Sequence, residues 1–182
     1  MERRARFQVV TQKRTELLIA IVVGVFIFVT DFIYGWLTFL TGAFPVILVM
    51  AFIIGLIAGN GTKGILATTV SWAIGLGIGY IFAPILLADF MGPDTTELGI
   101  IFATLMWPLR GYYDSFNVDN IVQAIGLIIV SLFLTPMMYL LSLAVGGLGG
   151  VVGKFVRKRV SDTGPLEGLQ QSGSYVSYPA DE

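Results

Sequence analysis

Apolar residues fall in four long runs separated by short polar or glycine-rich breaks, and these runs predict the elements. The first, over 17–37, makes a helix of about 30 Å at about 1.5 Å per residue, which matches a bilayer's hydrocarbon core. Its length exceeds the apolar part of a secretory signal, about 7 to 15 residues, so a retained helix is expected. The second run, over 43–59, follows Thr41 and Gly42 and carries Pro45 in its first turn, where a missing N–H costs no hydrogen bond. Gly59, Asn60, Gly61 and Gly64 then break the chain, because glycine and asparagine accept positive φ cheaply. The third run, over 65–88, spans about 36 Å, with Pro84 near its end. The fourth begins behind Asn120 and Gln123, spaced like a capping pair, and reads as one long helix kinked near Pro136. Its spanning part is placed at 121–147.

Between the third and fourth runs lies the longest connection, 89–120, with an apolar island over 98–107. As a helix the island is about 15 Å long and cannot cross a bilayer. Asp94 and Glu97 stand at capping-box spacing before it and Pro108 closes it, so a short interfacial or re-entrant helix is expected. The expected architecture is an all-α integral membrane protein: a four-helix transmembrane bundle over 17–153 with a short interfacial or re-entrant helix in the long external loop. A basic juxtamembrane arm, 1–16, precedes it. A tail, 154–182, follows, basic at first and then too poor in apolar residues to fold.

Composition supports the membrane reading. Of 182 residues, 55% are hydrophobic and 13% charged, about half the charged share of a soluble domain. Histidine and cysteine are absent, which removes imidazole acid–base chemistry, thiolates, disulfides and the usual zinc ligands. The carboxylates, hydroxyls and tyrosines that remain are not clustered, so neither an enzyme nor a cofactor is expected.

Charge is sorted along the chain. Arg3, Arg4, Arg6, Lys13 and Arg14 precede the first run, Lys63 lies in the second break, and Lys154, Arg157, Lys158 and Arg159 follow the last. Only Arg110 sits in the long connection, among Asp89, Asp94, Glu97, Asp114 and Asp119. By the positive-inside rule both termini are cytoplasmic and the chain is multi-pass. The basic arm, with Phe7, Val9 and Val10 interleaved, is suited to lie on an anionic leaflet rather than on nucleic acid.

The clearest pattern concerns packing. Ala67, Ser71, Gly75, Gly79 and Ala83 recur every four residues in the third run and form one small-residue groove, of the kind that lets helices approach closely in lipid. Ala20 and Gly24, then Ala51, Gly55 and Gly59, then Ser142, Gly146 and Gly150 repeat the spacing on the other helices. Such grooves serve packing within one chain or association between chains.

Asp31 is the only acid inside an expected span. A carboxylate there is a candidate proton carrier or cation ligand, or it reaches water or pairs with Arg110 near the outer surface. The acids at 89, 94 and 97 match no calcium-loop spacing and read as a solvated loop. Trp36, Trp107, Tyr112 and Tyr113 read as interface anchors. Glycines 59 to 64 fail the phosphate-loop template and read as a turn. Two functions follow. One is a non-enzymatic structural or assembly subunit, in contact with the bilayer and with copies of itself or other membrane subunits. The other is a small channel or carrier built on Asp31 and the re-entrant segment 98–107.

Overall fold

Where left-handed glycines interrupt the chain, the helices end. In the computed structural model, which describes residues 2–42, 44–86, 96–106, 109 and 121–162, the described residues form helices and no strands. The first helix, α1 (Glu2–Tyr34), runs 33 residues to Gly35, whose φ of 61° turns the chain out of the helix. A six-residue helix, α2 (Trp36–Thr41), follows, and Gly42, with φ 58°, ends it. Next come α3 (Val46–Ala58) and α4 (Gly61–Leu86), joined through Gly59 at φ 64°, then α5 (Glu97–Met106) and the 42-residue α6 (Ile121–Asp162).

Three stretches are long and apolar enough to cross a membrane: Arg14–Tyr34, Gly61–Ala83 and Ile128–Arg159. The run over 43–59 forms a shorter apolar helix. Its helix has 13 residues, about 20 Å, because Gly42 breaks the chain and Pro45, extended at ψ 112°, stands outside the helix as its N-cap. Other boundaries also differ from the sequence reading. Residues 2–16 are helical and run continuously into the rest of α1, since no proline or left-handed glycine interrupts them. The first expected span stops three residues short of 37, at Tyr34. The third begins at Gly61 and not at 65, because Asn60 caps it: the Asn60 carboxamide accepts from the Thr62 N–H at 3.0 Å. The fourth passes 147 and carries the basic residues 154–159 to Asp162, with Arg159 in the last turn, where a cation suits the helix dipole.

In the assembled chain α4 packs against α1, α3 and α6, and α3 packs along both α1 and α6. The larger core gathers Phe28, Phe32, Val46, Ile47, Met50 and Trp72. A second, finer core of Ala20, Ile54, Ala58 and Ala67 lies toward the α3–α4 turn. Elsewhere the surface is apolar: Phe39 is 87% exposed, Phe133 72% and Phe155 67%.

Candidate functional site

Asp31 is buried, and both oxygens of its carboxylate accept hydrogen bonds from α2. Gly35 offers no side chain to cap α2, so the first backbone N–H groups of that helix need another acceptor. Asp31 supplies it from one turn back: Oδ1 accepts from Leu37 N–H at 2.7 Å and Thr38 N–H at 3.0 Å, and Oδ2 accepts from the Thr38 hydroxyl at 2.9 Å. The Gly35 N–H in turn donates to the Asp31 carbonyl at 2.7 Å, which closes α1. The arrangement places donors, the positive end of a helix, around the carboxylate. Such surroundings hold an anion and repel a cation. Trp36, the first residue of α2, donates from its ring nitrogen to Thr30 Oγ1 at 3.1 Å and is 40% exposed.

The small-residue positions divide into two kinds of contact. Along α4, Ala67, Ser71, Gly75, Gly79 and Ala83 are all buried. Gly75 and Gly79 are notches for rings: a Cβ at Gly75 would lie 2.7 Å from the Phe28 ring, and one at Gly79 would lie 3.0 Å from Thr104 and 3.4 Å from the Phe32 ring. Ser71 donates to the Ile21 carbonyl at 3.2 Å, and Gly24 faces Ser71 and Ile54. Ala20 and Ala51 lie in the two cores, both without exposure.

On α6, Gly149, Gly150 and Gly153 meet backbone instead. A Cβ on Gly149 would collide with the Phe52 carbonyl oxygen, on Gly153 with that of Leu56, and on Gly150 with that of Asn60. Gly55 and Gly64 both point at the Gly146 carbonyl, and Gly146 itself points at Thr68 Oγ1. In each case the Cα hydrogen that replaces a side chain is aimed at an oxygen, the geometry of weak Cα–H···O bonds. Thr68 Oγ1 is buried without a conventional hydrogen-bond partner among the described residues, and this contact is what it has. Ser142 accepts from the Trp72 indole N–H at 3.1 Å and donates to the Tyr139 carbonyl at 2.6 Å. Gly64, Gly149 and Gly153 were missed by the four-residue pattern, which follows one ladder per helix and passes over a parallel one.

Where α3, α4 and α6 come together at the α3–α4 turn, a charged cluster closes the structure. Glu16 pairs with Lys63 at 3.0 Å through one oxygen and with Arg157 at 2.9 Å through the other. Arg157 also donates to the Ile57 carbonyl, one of the last carbonyls of α3, and its guanidinium lies over Gly59, where a Cβ would have blocked it. The sequence reading used Lys63 and Arg157 only as orientation signals and did not single out Glu16.

The other end is looser. Here α5 lies between α4 and α6, and Tyr139 donates to the Leu105 carbonyl, in the last turn of α5, at 3.1 Å. On one side of α5 is a cavity of about 370 Å³ bounded by Leu76, Gly77, Tyr80, Ile101, Thr104 and Leu105. On the other, a cavity of about 500 Å³ is bounded by Trp72, Leu105, Thr135, Pro136, Tyr139 and Leu143, among others. Asp31 borders neither. Hydroxyls nearby turn back to their own helices: Thr104 donates to the Ile100 carbonyl at 2.9 Å and Thr69 to that of Ile65 at 2.9 Å. Trp107, Arg110, Tyr112, Tyr113, Asp89 and Asp94 lie outside the described residues, and so does any pairing of Asp31 with Arg110. Among the described residues, no three acids stand close enough to hold a metal ion.

These features define a helical chain with three helices of membrane-crossing length. No family model, curated protein or solved structure matches it.

Proposed function

We propose that the chain is a non-enzymatic, multi-pass membrane protein whose α1, α3, α4 and α6 form a four-helix core with both termini cytoplasmic, and that it serves as a structural or assembly subunit. The observation that carries this reading is the glycine seam between α6 and the α3–α4 pair. It is built for backbone contact in a solvent where apolar burial drives little association. The exposed faces support it, since of the three membrane-length stretches only 28%, 33% and 17% is buried inside the chain. Such surfaces in water would aggregate, whereas in hydrocarbon they need no cover. The α4 ladder is occupied by α1 and α5, so contact with another subunit falls to the outward faces, of which α6 offers the longest.

The test is purification in mild detergent with mass measurement of the particle. The expected result is a particle heavier than one chain plus detergent, containing copies of this chain or another membrane protein. A bare monomer overturns the subunit reading. Because the chain has no cysteine, Asn60→Cys and Thr96→Cys also give single-label topology reporters. In sealed, right-side-out cells an impermeant maleimide is expected to label Thr96→Cys and spare Asn60→Cys.

A further inference from the structure

The last helix is too long for a bilayer that α1 and α4 fit. Its membrane-length stretch, Ile128–Arg159, has 32 residues, against 21 in α1 and 23 in α4. At about 1.5 Å per residue these are about 48, 31 and 35 Å, set against a hydrocarbon core of about 30 Å. The apolar part of α6 alone, over 121–153, runs about 50 Å. A helix with such an excess must tilt or bend. The inner half of α6 is not free to tilt apart from α3 and α4. Gly149, Gly150 and Gly153 lie against the carbonyls of Phe52, Asn60 and Leu56, Ser142 holds the Trp72 indole, and Arg157 holds Glu16. Pro136 stands ahead of this pinned half, inside the helix. It has no N–H for the Leu132 carbonyl, and its ring crowds that carbonyl. Over 122–135, Ser131 and Thr135 are buried and Leu134 is half-buried, while the other residues whose burial is described are exposed. Beside Pro136, the cavity of about 500 Å³ separates α6 from Trp72 of α4 and Leu105 of α5.

We propose that Pro136 is a hinge that converts bilayer thickness into the opening of this cavity. The inference rests on the membrane reading given above. In a thin bilayer the outer half of α6 leans over about Pro136, while the glycine seam keeps the inner half in place. A proline ring pushes the preceding turn away from itself, and Pro136 lines the cavity, so the lean is away from α4 and α5 and the cavity widens. In a thick bilayer α6 straightens and the cavity narrows. Tyr139, one turn beyond the hinge and bonded to the Leu105 carbonyl, keeps α5 with the inner half. A lean of about 20° carries Gly126, about 15 Å along the helix from Pro136, through about 5 Å.

Because the chain has no cysteine, spin labels attach only where cysteines are placed. One pair, Ile81→Cys with Gly126→Cys, joins α4 to the outer half of α6; Ile81 is exposed, and a Cβ at Gly126 meets nothing within 4 Å. A reference pair, Leu18→Cys with Leu148→Cys, joins α1 to the inner half at two exposed positions. The full chain is placed in nanodiscs of dilauroyl or dierucoyl phosphatidylcholine, a thin and a thick bilayer, and the distances are read by double electron–electron resonance. The first pair is expected to lie about 5 Å farther apart in the thin bilayer, and the reference pair to keep one distance in both. Pro136→Ala restores the N–H, and with it the difference in the first pair is expected to vanish. Equal distances for the first pair in the two bilayers, or a shorter one in the thin bilayer, overturns the proposal. So does a shift that survives Pro136→Ala, or an equal shift in the reference pair, which marks a tilt of the whole helix. Release of the chain from membranes by alkaline carbonate would instead defeat the membrane reading itself, so the two failures are distinct.

Discussion

Glu16 and Arg157, separated by nearly the whole described chain, meet at 2.9 Å, and the same carboxylate holds Lys63 at 3.0 Å. One acid thus ties the start of the first membrane-length stretch to the first turn of α4 and to the far part of α6. Glu16 is 29% exposed in its side chain and Lys63 24%, so water screens the cluster less than it screens an open surface pair. Glu16→Gln is expected to lower stability by about 1 to 2 kcal/mol, between the values for surface and buried pairs. Thermal unfolding in detergent followed by circular dichroism measures this. The loss should shrink when Arg157 is already Gln, because the two residues share one interaction.

Asp31 separates a capping role from a proton-carrying one. Asp31→Ala leaves the Leu37 and Thr38 N–H groups buried without an acceptor and is expected to cost about 2 kcal/mol. Asp31→Asn keeps an oxygen for those donors and should stay within about 1 kcal/mol of the parent. Ion flux in proteoliposomes is expected to be the same for parent and Asn variant. A flux present in the parent and lost in Asp31→Asn would restore the carrier reading.

Glycines on α6 differ in what an added methyl group meets. Gly149→Ala and Gly153→Ala drive a methyl into the Phe52 and Leu56 carbonyls, and backbone cannot swing aside as a side chain does. Each is expected to destabilise by about 2 kcal/mol or more. Gly77→Ala and Gly126→Ala meet nothing within 4 Å and should gain up to about 1 kcal/mol from helix propensity. Unfolding midpoints of the four variants in one detergent decide the matter. Equal effects at all four positions would contradict the seam.

Tyr139 holds α5 by one hydrogen bond to Leu105 while its ring stands edge-on to Trp72, with centroids 6.1 Å apart. Tyr139→Phe keeps the ring contact and removes the bond, at a cost of about 1 kcal/mol. The effect should be local. Hydrogen exchange followed by mass spectrometry is expected to quicken in the α5 peptide, with peptides from the second half of α6 unchanged.

The periodicity of apolar residues was enough to find the three membrane-length helices and the short one over 97–106, because run length and helix rise need no knowledge of neighbours. It marked Gly59 as a break but not Gly35; which glycines adopt positive φ, Gly35, Gly42 and Gly59 among the described residues, depends on how the chain must turn between packed helices. The second run shows the limit. Its composition reads as a span, yet Gly42 and Pro45 leave a 13-residue helix, and a buried Asp31 serves the fragment cut off from it. Small residues at four-residue spacing declare that a helix face is meant for close contact, but not with what. Gly75 receives a phenyl ring and Gly153 a carbonyl because α1 and α3 happen to present those groups at those heights. The same holds for charge. Arg157 and Lys158 are neighbours in sequence, and only the 100° between successive helical residues, together with the place of α3, turns Arg157 to Glu16 and Lys158 to a different face. Local hydrogen bonding and hydrophobic length act within a segment and are legible in it. Contact identity is a property of two segments at once, and it is set when α6 settles into the groove between α3 and α4.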